Sequence, residues 1–238
     1  MLYLSVMNLI ARPWIVVALL SLLALSPAHA GMTPQEVEMF KDAKAWAEKG
    51  EAEGQLNLGV CYTRGHGVAK DDVQAVAWFR KAAVQGFAPA QTLLGHRYFG
   101  GEGVPKDQAL AVTWYRKAAE QGNASAQMSL GECYGGGKGV EKDFVQAVKW
   151  YRKAAEQGHA GAQFNLGGRY YNGEGVTKDE IEAYAYWNLI RITDEDARRN
   201  LAVLEKQMSA GQIAAGQKRS KELQKEIDAK SAAKKAGK

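Results

Sequence analysis

The chain of 238 residues has little of what most often carries chemistry or crosslinks: two cysteines, four histidines and five prolines. Two cysteines make no disulfide framework. His66, His96 and His159 stand in different local contexts, with no carboxylate or second histidine at metal-ligand spacing along a helix, so no metal site is expected. Beyond residue 30 no apolar run approaches the roughly 20 residues a helix needs to cross a bilayer. The body also lacks an excess of either charge: residues 31–208 carry 22 Lys and Arg against 23 Asp and Glu, whereas 209–238 carry 8 against 3. A nearly neutral body excludes a basic face that tracks nucleic acid. The glycine-rich stretches have no Gly-Lys-Ser/Thr ending and are not phosphate loops. Ser231-Ala-Ala-Lys234 fits Ser-x-x-Lys, but it sits in a lysine-rich tail without a Ser-Asp-Asn or Lys-Thr-Gly companion.

One apolar stretch is present, at the start. Arg12 precedes an uncharged run from Trp14 to Leu25, which ends in Pro27-Ala28-His29-Ala30. A run of about a dozen apolar residues followed by a small-residue cleavage site is the pattern of a signal peptide. Residues 1–30 are therefore expected to be removed after Ala30, leaving a periplasmic or secreted protein with no transmembrane segment.

What the sequence has in abundance is self-similarity. Leu58-Gly59 recurs as Leu94-Gly95, Leu130-Gly131 and Leu166-Gly167, each followed by Tyr62, Tyr98, Tyr134 or Tyr170, at a spacing of 36. Asp71, Asp107, Asp143 and Asp179 keep the same period, with Trp78, Trp114, Trp150 and Tyr186 downstream. A fixed period of this length is the signature of a stacked repeat. Cys61 and Cys133 fall two periods apart, in equivalent places of copies one and three. Repeats stacked at a helix-packing distance of about 10 Å would hold them beyond the Cα limit of about 7 Å for a bridge, so two free thiols and no disulfide are expected.

The chemistry at each position specifies a helix pair. Each Asp precedes an apolar-periodic stretch, where its carboxylate caps free backbone N–H groups. Gln74, Gln146 and Glu182, three residues on, extend this to a capping box, which Leu110 breaks in copy two. Within the second helix Ala75, Trp78, Ala82 and their equivalents share a face, an aromatic between small residues, and Gly86, Gly122 and Gly158 end it. In the first helix Ala90, Leu94 and Tyr98 share a face, and a glycine in its interior, about 1 kcal/mol worse than alanine, implies a neighbour too close for a side chain. Between the helices Gly65-His66-Gly67-Val68, Gly101-Glu102-Gly103-Val104, Gly137-Lys138-Gly139-Val140 and Gly173-Glu174-Gly175-Val176 make tight turns.

Leu-Gly-x-x-Tyr, Gly-x-Gly-Val, Lys-Asp, then Ala-x-x-Trp with Lys-Ala-Ala and Gly resembles the Sel-one-like repeat, a relative of the tetratricopeptide repeat. The resemblance covers roughly residues 36–228 and implies an all-α fold: a right-handed α-solenoid of helix-turn-helix repeats serving as adaptor or scaffold. Four repeats are expected over 51–192, after a leading helix in 31–50, with capping helices in 193–228 and a basic disordered tail in 229–238. Copy four departs from the pattern where Asn188-Leu189 replaces the basic pair Arg152-Lys153, which reads as the end of the array.

By analogy with the tetratricopeptide family the first helices line a concave face. The positions there that the repeat does not fix are Leu56, Val60, Thr63, Thr92, His96, Phe99, Met128, Glu132, Phe164 and Tyr171. Half are apolar, which suits an extended peptide or an amphipathic helix; for Met128 and Phe164 packing between helices is the alternative. The functional expectation is a non-catalytic exported scaffold that binds a protein or peptide, with no cofactor and no catalytic residue. A cell-wall-associated enzyme or penicillin-binding protein is a second reading, drawn from relatives in the family. Envelope tethering through contact of the basic tail with anionic polymer is a third.

Overall fold

Each period folds as a pair of helices, the first begun after the preceding glycine and the second by the aspartate. The computed structural model describes residues 32–236; the leader assigned to residues 1–30 lies outside them. Among the described residues eleven helices follow one another: α1 (Pro34–Glu48), α2 (Ala52–Arg64), α3 (Asp72–Val84), α4 (Ala88–Gly100), α5 (Gln108–Glu120), α6 (Ala124–Gly136), α7 (Phe144–Ala155), α8 (Ala160–Asn172), α9 (Glu180–Ile190), α10 (Glu195–Glu205) and α11 (Ala210–Ala236). Two compact units divide the chain within α3, after Trp78. In the first, α1 packs on α2. In the second, α4 to α9 pack each on the next, and α9 also carries α10 and α11. The chain is thus an all-helical, solenoid-like repeat.

The aspartates cap as expected. Asp71, Asp107 and Asp143 accept from the backbone N–H three residues on at 2.9–3.0 Å, and Asp179 accepts from Ile181 and Glu182. The reciprocal half of the capping boxes is not formed. Each aspartate's own N–H, which Gln74, Gln146 or Glu182 would have to accept, already donates to the carbonyl of the tyrosine in the first helix: Asp71 to Tyr62, Asp107 to Tyr98, Asp143 to Tyr134 and Asp179 to Tyr170, at 2.8–2.9 Å. That bond closes the turn and fixes where the second helix starts. Complete capping boxes occur outside the repeats, in Thr33 with Glu36 at α1 and Ser209 with Gln212 at α11.

In copies one and two the buried aromatic is one residue later than the sequence pattern suggests. Phe79, Tyr115, Tyr151 and Trp187 are buried in all four copies, on the same face as the alanines at Ala75 and Ala82 and their equivalents, whereas of the series one place earlier only Trp150 and Tyr186 are buried. Trp78 and Trp114 are only half-buried, and lysines lie over the indoles of Trp114 and Trp150 at 4.6 and 4.2 Å. The reason lies in the glycine of the first helix. A Cβ built on Gly95 would come within 2.5 Å of the Tyr115 ring, one on Gly131 within 2.6 Å of Tyr151, and one on Gly167 within 2.6 Å of Trp187. The glycine is there because the ring lies against its backbone, where a Cβ would collide with it.

Polar side chains join one repeat to the next. Arg80 donates to the Tyr98 hydroxyl, Arg116 to Tyr134 and Arg152 to Tyr170, at 2.6, 2.8 and 2.9 Å. Buried Gln91, Gln127 and Gln163 donate to the carbonyls of Ala83, Ala119 and Ala155 at the end of the preceding second helix. Gln121 and Gln157 then donate to Gln91 and Gln127 at 2.8 Å. Since a buried amide left unpaired costs about 1–3 kcal/mol, these ladders set the spacing of repeats as well as adding to their stability. Copy four breaks the arginine series because its neighbour is no longer a repeat: Asn188 donates to Ser220 of α11 at 3.1 Å. Leu201 and Leu204 of α10, Met208 of the link after it and Leu223 of α11 are buried. Residues 229–236, expected as a disordered tail, instead continue α11. Lys230 pairs with Glu156 at 2.7 Å and Lys234 donates to Gln157 at 3.5 Å, exposed contacts between the helix end and the surface after α7.

Two glycines in first helices should respond oppositely to the same substitution. Gly131→Ala pushes a methyl group into the Tyr151 ring and is expected to destabilise by about 1–3 kcal/mol. Gly168→Ala meets nothing within 4 Å and should stabilise by about 0.5–1 kcal/mol through helix propensity. Thermal unfolding followed by circular dichroism would give Tm shifts of opposite sign.

Candidate functional site

Three first helices of the second unit, α4, α6 and α8, border one cleft of about 330 Å³, and Tyr115 and Tyr151 of the second helices also line it. His96 and Phe99 come from α4, Ser129, Glu132, Cys133 and Gly135 from α6, and Asn165 and Arg169 from α8, with Lys138 from the turn after α6. Its size is within the range of small binding pockets, on the order of 300–1,000 Å³. The repeat explains why it opens here. Position 135 is equivalent to Thr63, Phe99 and Tyr171, and only in copy three is it glycine. A Cβ added at Gly135 would lie 3.1 Å from the Arg169 guanidinium and 3.6 Å from the Tyr151 hydroxyl, so a missing side chain lets the cation and the phenol reach the cleft.

The polar groups of the cleft are held by neighbours. The Tyr115 hydroxyl and His96 Nδ1 are 2.8 Å apart. One edge of His96 is exposed, yet loss of water around the rest of the ring, with Arg97 adjoining, lowers its pKa and favours neutral imidazole. Desolvation raises the pKa of Glu132, and Lys138 opposes it. Burial pushes Cys133 up to about 11, with Glu132 adding to the shift. Tyr151 rises to about 12 for the same two reasons, and Arg169 acts against them. Arg169 is ion-paired to Glu174, as Arg97 is to Glu102 in copy two. The Asn165 amide has a thioether partner, Met128 Sδ at 3.7 Å, a weak acceptor that leaves it able to bond to a ligand. The cleft therefore combines an aromatic floor with an amide, a hydroxyl, a carboxylate and cations. Such groups hydrogen-bond an extended main chain and hold its side chains, and their thiol and phenols stay protonated at neutral pH.

Of the ten residues singled out in the sequence, His96, Phe99 and Glu132 border this cleft. Val60 borders a separate groove in the first unit. Thr92 is buried, its hydroxyl bonded back to the Ala88 carbonyl at 2.9 Å, so it does not face a ligand. Thr63 makes the same back-bond to Gly59 at 3.0 Å. Met128 packs on the core around Leu166, while Phe164 and Tyr171 pack on the core around Trp187. For Met128 and Phe164 the packing alternative holds. Leu56 is half-buried on α2. Sequence reasoning missed Gly135, Asn165, Arg169 and Lys138. The available signal was a glycine at a position otherwise held by Thr63, Phe99 and Tyr171. Cys61 and Cys133 are buried and free, Ser231 and Lys234 lie on the exposed end of α11, and His159 caps α8 through its Nδ1.

The ring-on-glycine pairs, the aspartate caps and the 36-residue period coincide with a known repeat, whose family matches at residues 52–87, 88–123, 124–159 and 160–189. The chain belongs to the Sel1 repeat family. This Sel1 repeat protein is similar to a protective antigen present in uropathogenic Escherichia coli strains that displays an SLR fold, with a TM-score of 0.74 and 37% identity. That match covers 82% of this chain and 42% of the antigen, so the chain spans less than half the antigen's length. A Sel1 repeat protein from Oxalobacter formigenes matches with a TM-score of 0.65 and 35% identity, covering 79% of this chain and 84% of that one. No curated protein sequence matches it significantly.

The buried thiol of the cleft makes stability depend on alkaline pH. A folded thiol pKa of about 11 lies above its ordinary 9.0. The unfolded state therefore releases its proton first, and the stabilisation present below about pH 9 is lost as pH rises toward 11. Urea unfolding at pH 7, 9 and 10.5 should show falling midpoints, and Cys133→Ala should flatten part of that fall.

Proposed function

We propose that the protein is an exported, non-catalytic scaffold that holds an extended segment of a partner polypeptide in the cleft formed by repeats two to four. The observation that carries this reading is Gly135. At a position where two other copies place an aromatic ring, this copy places nothing, at a cost of about 1 kcal/mol of helix stability. The space it leaves brings the polar groups of three repeats together, where an extended chain can meet them through main-chain bonds and side-chain contacts. The titrating groups of the cleft support binding rather than turnover. Cys133 and Tyr151 are driven away from their reactive anions, the reverse of what an activated nucleophile needs. Export rests on the leader pattern that ends at Ala30. The ion pair of Lys230 with Glu156 engages part of the basic C-terminal charge, which weakens a tethering role for it.

The test fills the cleft without disturbing the repeat. Gly135→Phe restores the side chain that copy two carries as Phe99, so the fold should persist while the cleft closes. A photoreactive residue placed at His96 should crosslink a discrete partner in intact cells. In the Gly135→Phe background that product is expected to fall about tenfold or more, equivalent to about 1.4 kcal/mol of binding. An unchanged yield would reject the cleft as the binding site. Turnover of a wall substrate abolished by a single substitution would reject the non-catalytic reading.

A further inference from the structure

The first unit has a second concavity, and the repeat register identifies what shape it is made for. Gly50 has the register and the positive φ, 86°, of Gly86 at 87°, which makes α1 a second-type helix. Its docking agrees. A Cβ at Gly67 would lie 2.2 Å from the Glu36 carbonyl, just as one at Gly139 would lie 2.2 Å from that of Gln108 and one at Gly175 from that of Phe144. So α1 sits on the turn of repeat one as α5 and α7 sit on the turns after them. Those helices also carry a first-type helix on their other side: α4 packs on α5 and α6 on α7. Among the described residues α1 has no such companion.

The residues of α1 on that side differ from every other second helix. Ala43 stands where Tyr115, Tyr151 and Trp187 stand, so there is no ring to lie on a companion's glycine. Met39 occupies the position of Ala75, Ala111, Ala147 and Ala183, all 0% exposed, yet is itself 44% exposed. Trp46 occupies that of Ala82, Ala118 and Ala154, again 0% exposed, and is 41% exposed. With Val60 and Cys61 of α2 these side chains line a groove of about 880 Å³. Three carboxylates border it, Glu36, Glu38 and Asp42, against Arg64 and His66. Glu36 holds His66 at 4.0 Å, and Glu38 pairs with Lys41 at 3.5 Å on an exposed surface, where such a pair is worth little and is readily exchanged.

We infer that this groove binds a basic amphipathic helix of another polypeptide, seated as the missing first helix of the array. The first helices α2, α4, α6 and α8 each have 13 residues, which sets the length of the segment. Its apolar stripe meets Met39, Trp46 and Val60, and its cations meet the acidic rim. Ala43 in place of a ring removes the demand for a central glycine, so the groove accepts a wider range of helices than the repeat itself does. This surface belongs to the first unit and is independent of the cleft lined by Gly135.

The probe is a side-chain-stapled helical peptide with the sequence of residues 88–100, labelled for fluorescence anisotropy and titrated with the intact protein. Saturable binding is expected, weakened at least tenfold by combined Met39→Glu and Trp46→Glu substitution. Gly135→Phe in the protein should leave it unchanged, which separates this result from the fate of the cleft. Circular dichroism should show the groove variant folded, since both substituted side chains are exposed. Absence of saturable binding, or binding indifferent to the groove variant, overturns the inference. So does sedimentation of the protein as a dimer that Met39→Glu and Trp46→Glu dissociate, because the occupant would then be a second copy.

Discussion

The contact on which the structure depends is an aromatic ring packed against a glycine backbone, once in each of repeats two, three and four. Tyr115 on Gly95, Tyr151 on Gly131 and Trp187 on Gly167 bring the two helices of a pair closer than any side chain at the glycine would allow. Close approach brings the alanines of the second helix to full burial and shortens the turn. The tyrosine carbonyl of the first helix can then receive the N–H of the aspartate that begins the second. Hydrophobic burial drives the pairing, and the glycine determines its distance.

Much of this was legible in the sequence because periodicity multiplies a weak signal. Four copies of Leu-Gly-x-x-Tyr and of the aspartate fix the helix boundaries that one copy would leave ambiguous. Three features were not legible, each for a physical reason. The aromatic one place before the ring looks like a core residue in every copy because it recurs more strictly, yet recurrence does not distinguish Trp150 and Tyr186, which are buried, from Trp78 and Trp114, which are only half-covered. The capping boxes have the right residue types, but the acceptor competing for the aspartate N–H lies nine residues back, outside the local pattern. The C-terminal lysines read as disorder by composition, yet Lys and Ala are also good helix formers, and the contacts of Lys230 and Lys234 with Glu156 and Gln157, more than seventy residues earlier, lie outside any local pattern.

The candidate sites follow a different logic from the core. The core is where the copies agree, and the cleft and the groove are where one copy departs from the others. Gly135 replaces an aromatic ring, and Met39 and Trp46 replace alanines. Each departure runs against local preference, by losing packing or exposing apolar surface, so neither serves the fold of its own repeat. Listing the fixed positions of a repeat therefore finds its architecture, whereas comparing its exceptions finds the surfaces available for recognition. Val60, His96, Phe99 and Glu132, singled out by that comparison, border the groove or the cleft, and Gly135 was overlooked because an absent side chain does not look like a site.

The glutamine ladder carries a consequence for how such a gene can change. Gln121 reaches Gln91, which reaches Ala83, and Gln157 reaches Gln127, which reaches Ala119. Every rung is indexed to the same count, so excising or duplicating one whole period rejoins compatible rungs, while an insertion of any other length strands buried amides on both sides. Evolution of the array is thereby restricted to integer steps.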